Sequence, residues 1–163
     1  MRPNSLKTLH AISDIRAGPE TFLALNYHAQ SLEDLQLSVT NDSLAHMPLL
    51  QGCTALKNLR IDDLHGAEDI ETTNHDAFLA IIAWLRQCES LRCLDFSNCQ
   101  SGVALVTPVL LERNMRLTSL HIDSYTLKDH TNFHQALVHQ QASLRHLFLS
   151  GETEEMLECL LWT

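Results

Sequence analysis

The sequence predicts an α/β fold in which parallel strands line the inside of an arc and helices cover its outside. Two observations carry this expectation. A short pattern, Leu-x-x-Leu-x-(apolar), occurs six times along the 163 residues. Between the copies lie segments with apolar residues at helical spacing. A unit of strand, loop, helix and loop, repeated this way, implies parallel strands joined by right-handed crossovers.

The copies are SLKTLHA, SLEDLQL, ALKNLRI, SLRCLDF, RLTSLHI and SLRHLFL, with first leucines Leu6, Leu32, Leu56, Leu91, Leu117 and Leu144. Their intervals are 26, 24, 35, 26 and 27 residues. The most complete copy is Leu91-x-x-Leu94-x-Phe96-x-x-Cys99. Side chains alternate across a strand, so Leu94 and Phe96 share the covered face while Cys93, Asp95 and Ser97 take the other. These motifs and their period resemble the leucine-rich repeat family over nearly the whole chain. The long, helix-bearing units are similar to its ribonuclease-inhibitor-like branch. The resemblance implies a single solenoid domain of about six repeats across residues 1–163.

The covering segments follow in order. Pro19 stands where a helix can start ahead of Phe22, Leu23 and Leu25. Asp42 or Ser43 is the expected cap of a short helix with Leu44 and Met47. Residues 74–85 place Phe78, Ile81, Ile82 and Leu85 on one helical stripe, with Trp84 as core or edge packing. Pro108 shortens or kinks the fifth cover. Thr131 is the expected cap of a helix with Phe133, Ala136 and Leu137, and a last helix is expected from Glu152 to Trp162. No helix precedes Leu6 and nothing follows Thr163, so both ends of the stack are expected to be uncapped. That suits a fragment of a longer solenoid, a truncated product or a chain continued by a partner, with Trp162 as an exposed docking point and self-association through the ends.

Composition narrows the functional classes. Hydrophobic residues make up 45% and charged residues 19%, which suits a folded globular chain and argues against disorder. The net charge of −9 repels a phosphate backbone, so nucleic acid is not an expected partner. No apolar run reaches the ~18 residues of a membrane span, and the first residues lack a signal-peptide stretch. Five cysteines without a disulfide-framework spacing point to free thiols in a reducing compartment, cytoplasmic or nuclear.

No residue set supports chemistry. Cys88, Cys93 and Cys99 lie near His75 and His121 in sequence, but the repeat frame points the three thiols in different directions, so no metal or other cofactor is expected. His121, Asp123 and Ser124 have the residue types of a hydrolytic triad without its geometry. Glycine-rich phosphate loops and nucleophile elbows are missing, so no catalytic residue is expected and an enzyme is the remote alternative.

The polar positions of the motifs build the concave face. Its central column reads His10, Gln36, Arg60, Asp95, His121, Phe148. The following column reads Ile12, Ser38, Asp62, Ser97, Asp123, Ser150, and the preceding one Thr8, Asp34, Asn58, Cys93, Ser119, His146. The candidate binding residues are Arg60, Asp62, Asp95, Ser97, His121, Asp123, His146 and Phe148. Asp62, Asp95 and Asp123 are expected as close neighbours on adjacent strands that attract a basic protein partner. The 35-residue interval adds an acidic loop, residues 62–76, with Asp62, Asp63, Glu68, Asp69, Glu71 and Asp76. Irregular helix-bearing repeats with free cysteines are similar to the repeat region of F-box/leucine-rich-repeat proteins, in which the repeats select a target for a ubiquitin ligase. No F-box segment is recognisable here. The alternative expectation is the repeat region of an intracellular sensor.

Overall fold

The computed structural model describes residues 2–11, 17–64, 69–125 and 130–151. The side chains of Asn41, Asp42, Ser124, Tyr125, His130 and Thr131 are outside that description. The expectations for Ile12, Glu68, the 152–162 helix and Trp162 fall outside the described residues.

Each motif forms a strand. They are β1 (Thr8–Ala11), β2 (Asp34–Val39), β3 (Asn58–Asp63), β4 (Cys93–Ser97), β5 (Ser119–Tyr125) and β6 (His146–Gly151). Together they form one six-stranded, all-parallel sheet in the order β1-β2-β3-β4-β5-β6. The register joins Leu9, Leu35, Leu59, Leu94, Leu120 and Leu147 in one row, and His10, Gln36, Arg60, Asp95, His121 and Phe148 in the next. A repeated hydrogen-bond pattern fixes that register just ahead of the strands. One carbonyl accepts two successive N–H groups of the next unit: Lys7 from Glu33 and Asp34, Glu33 from Lys57 and Asn58, Lys57 from Arg92 and Cys93. Arg92 and Thr118 continue it.

The connections are α1 (Pro19–Asn26), α2 (Asn41–Leu44) with a 3-10 turn (Met47–Leu50), α3 (Ile70–Thr73), α4 (His75–Gln87), α5 (Gly102–Leu110) and α6 (His130–Gln140). Their buried residues join those of the strands in a single core, so one helical layer covers one face of the sheet. α4 is the longest cover, and its stripe buries Phe78, Ile81, Ile82 and Leu85 as the spacing predicts. Asn74 caps it by accepting from the N–H of Ala77 at 3.1 Å. Trp84 is buried in the core and its Nε1 donates to the Cys53 carbonyl at 3.2 Å. Pro108 lies inside α5, which spans nine residues and ends two residues later. The proline carries no N–H for the helix ladder, so this cover stays short. Gly102 lets α5 start against the sheet, since a Cβ there would stand 3.3 Å from that of Phe96.

Several expectations are corrected. The second cover begins at Asn41, so neither Asp42 nor Ser43 flanks its start; the Leu44 N–H bonds to the Thr40 carbonyl at 2.8 Å. The sixth cover begins at His130, which puts Thr131 inside its first turn. The long interval is not all loop. Asp62 and Asp63 end β3, and Asp69 caps α3 by accepting from the Glu71 N–H at 3.0 Å. Asp63 is buried on the helix side, because its position in the alternation is that of Leu59 and Ile61. The leucine row is sealed at Leu35, Leu59, Leu94 and Leu120, but Leu147 is 42% exposed. Among the described strands β6 is the last, so Leu147 has a described strand neighbour on one side. Among the described residues, no helix is long and apolar enough to cross a membrane.

Candidate functional site

The face of the sheet opposite the helices carries the polar rows. At its centre Asp95 gathers three partners. Its Oδ2 is 3.6 Å from Arg60 Nε and 3.1 Å from His121 Nδ1, and its Oδ1 accepts from Ser97 Oγ at 2.8 Å. Arg60, Asp95 and His121 are direct register partners, so the sheet itself holds them within ion-pair reach. Opposite charges facing each other on one sheet face are mildly stabilising. The ring of His121 then meets Phe148 edge-on, with centroids 4.4 Å apart and planes at 87°. Its Nε2 is buried without a hydrogen-bond partner among the described residues. Phe148 itself is 55% exposed.

Two other groups lie on the same face. Towards β1, His10 Nε2 is 2.9 Å from Asp34 Oδ1, and Asn58 Nδ2 donates to Asp34 Oδ2 at 3.0 Å. Towards the carboxyl ends of the strands, Asn98 Nδ2 donates to Asp62 Oδ1 at 2.9 Å. Asn98 has φ 55°, a left-handed turn that asparagine tolerates better than most residues. That turn aims its amide back at Asp62.

Of the candidate residues, Arg60, His146 and Phe148 are exposed and Asp62, Asp95, His121 and Asp123 half-buried. Ser97 is corrected: it is buried and reaches the site through its hydrogen bond to Asp95. The three aspartates are corrected as well. Asp95 stands opposite Arg60 and His121, whereas Asp62 stands opposite Ser38 and Ser97. The carboxylates are therefore staggered, and Asp95 is already engaged by Arg60, His121 and Ser97. Sequence reasoning missed Asn98, whose role depends on a turn conformation, and it missed Gln140. That side chain is buried between covers. It donates to the Leu110 and Met115 carbonyls at 2.8 and 3.3 Å and accepts from the Leu117 N–H at 3.1 Å.

The four described cysteines do not converge on a centre. Cys93 lies half-buried on the polar face, with Sγ 4.0 Å from Thr118 Oγ1. Cys53 and Cys88 are buried beneath the helices, where Cys88 Sγ donates to the Cys53 carbonyl at 3.6 Å. Burial pushes the Cys53 thiol up to about 11. Burial and then the neighbouring Cys53 push Cys88 up to about 12. Cys99 reaches about 12 through burial and the nearby Asp63 carboxylate. Such thiols stay protonated and behave as small apolar groups. Among the described residues, no group of three or more His, Cys, Asp or Glu side chains is placed to hold a metal ion.

The arrangement offers an ordered polar surface with one exposed aromatic anchor. No protein-family model, no curated protein and no solved structure matches the chain.

Proposed function

We propose that the chain is a leucine-rich repeat solenoid and a protein-binding scaffold, and that its polar sheet face receives the partner. The observation that carries this is the Arg60–Asp95–His121–Phe148 row. Four successive strands present these side chains in register, already oriented by contacts with one another. A preorganised surface loses little side-chain entropy on binding. Phe148 supplies an apolar anchor, Arg60 a rigid donor fork, and Asp62 and Asp123 draw basic residues of the partner to the carboxyl ends of the strands. Within that reading, the target-selecting part of an F-box-type ubiquitin ligase is the specific role its repeats fit, by the resemblance of motif and period.

The test is a photo-crosslinking amino acid placed at Phe148 in one protein and at exposed Leu79, on the helix side, in another. Expressed in cells, the Phe148 protein is expected to trap one dominant partner that Arg60→Glu abolishes and Leu79 does not trap. Co-purification of ubiquitin-ligase subunits with that partner supports the ligase role. Trapping from Leu79 alone sinks the sheet-face reading.

A further inference from the structure

The two ends of the parallel sheet carry opposite charge. At the carboxyl ends of the strands lie Asp62, Asp69, Glu71, Asp76 and Asp123. At the amino ends, the residues just ahead of the strands are Lys7, Glu33, Lys57, Arg92, Thr118 and Arg145. The shared carbonyl pattern holds these six in one row. Of the described Lys and Arg residues, all but Arg2 and Arg60 belong to this end of the sheet. In a chain of net charge −9 that is a strong segregation.

The row divides in two. In its first half Glu33 bridges Lys7 at 3.9 Å and Lys57 at 2.7 Å. Its carboxyl is held below the usual value chiefly by the hydrogen bond and charge of Lys57. In the second half Glu89 and Glu112 lie close by but neither bridges the row: Glu89 accepts from Asn114 Nδ2 at 3.2 Å and Glu112 pairs with Arg86. Arg92 and Arg145 flank Thr118, and Arg113 and Arg116 lie in the loop leading to it. All four arginines are exposed. Helix termini do not account for them: a cation favours the last turn of a helix, as Arg86 does at the end of α4, where it pairs with Glu112 at 2.8 Å. Arg92, Arg116 and Arg145 adjoin strands instead.

Two of these arginines share one geometry. Arg92 Nη1 donates to the Glu89 and Leu91 carbonyls at 3.0 and 2.7 Å. Arg116 Nη1 donates to the Arg113 and Met115 carbonyls at 2.7 and 2.7 Å. Each guanidinium is thus pinned by its own loop through one nitrogen, and its other N–H groups remain to form a fork for a carboxylate. Adjacent strands are ~4.8 Å apart, so Arg92 and Arg145 are separated by about 10 Å at the backbone. An extended segment covers that distance with about three residues.

We propose that this edge, built from Arg92, Arg113, Arg116 and Arg145, is a docking surface for an acidic protein segment rich in Asp and Glu. It is separate from the polar sheet face and does not depend on it. A protein segment is favoured over nucleic acid because the basic area is short. The acidic end of the same sheet and the overall negative charge also repel a long polyanion.

The test uses a fluorescein-labelled octaglutamate peptide, with octalysine and a single-stranded oligothymidine as further probes, at low and high salt. Octaglutamate is expected to bind at low salt and to be released as salt rises. Arg92→Gln/Arg116→Gln/Arg145→Gln is expected to weaken it roughly tenfold, as for the loss of several exposed ion pairs. Arg113→Glu/Arg145→Glu serves as a second variant that leaves the pinned guanidinium contacts of Arg92 and Arg116 in place. Phe148→Ala, which alters the sheet face, is expected to leave octaglutamate binding within about twofold. Octaglutamate that does not bind, or that binds both arginine variants as tightly as the parent, overturns the proposal. So does tighter binding of oligothymidine than of octaglutamate, which would assign the edge to nucleic acid.

Discussion

Leu120 and Leu147 face each other across β5 and β6 as register partners, yet Leu120 is 1% exposed and Leu147 is 42% exposed. The same motif position therefore has a different weight at the centre and at the edge of the sheet. Leu94→Ala is expected to cost ~2–5 kcal/mol, because a sealed leucine leaves a cavity. Leu147→Ala is expected to cost less than about 1.5 kcal/mol, since much of its side chain is already in water. Denaturant midpoints of the two variants check this, and equal losses would show that Leu147 is sealed in solution.

Gln140 holds three backbone groups that no cover helix satisfies by itself. Gln140→Leu keeps the volume but leaves the Leu117 N–H and two carbonyls without their partner. Unsatisfied buried groups cost ~1–3 kcal/mol each, partly relieved by water. A drop of at least about 2 kcal/mol in unfolding free energy is expected. An unchanged midpoint would mean that the three groups are hydrated in the parent protein.

The buried thiols make stability fall in alkali. Their native values are raised, to about 11 for Cys53 and about 12 for Cys88 and Cys99. Unfolded thiols lose their protons near ~8.5, so above that pH the unfolded state binds fewer protons than the native one. The contribution is complete below the unfolded value and is lost as pH rises towards the native values. Each thiol contributes a slope of about 1.4 kcal/mol per pH unit in that window. Denaturant midpoints followed from pH ~8 to ~10 are expected to fall, and less steeply in Cys88→Ala. A flat profile would show that the thiols are not sealed.

Thiol reactivity should rank with burial. Of Cys53, Cys88, Cys93 and Cys99, Cys93 alone is not buried. In a Cys159→Ser background and under native conditions it is expected to react with an aromatic disulfide reagent well before the other three, and adding Cys93→Ser is expected to remove that early phase. An early phase that survives in Cys93→Ser would place an accessible thiol elsewhere.

The alternation of apolar and polar residues in six copies determined by itself where the strands lie, which residues face the core, and the rows of the polar face. Those features depend on local periodicity and on the recurrence of one motif, and both are written along the chain. His10, Gln36, Arg60, Asp95, His121 and Phe148 stand in the order and register read from the motifs. What the tertiary structure alone decided depends on neighbours from distant repeats. Asp95 pairs with Arg60 and hydrogen-bonds to His121, and the Asn98 turn reaches back to Asp62. Asp63 goes inside with its alternation, Ser97 is sealed behind Asp95, and Leu147 stays partly exposed on β6. The segregation of charge belongs here too. Lys57, Arg92 and Arg145 are scattered in sequence, and only a sheet with every strand parallel brings them to one end.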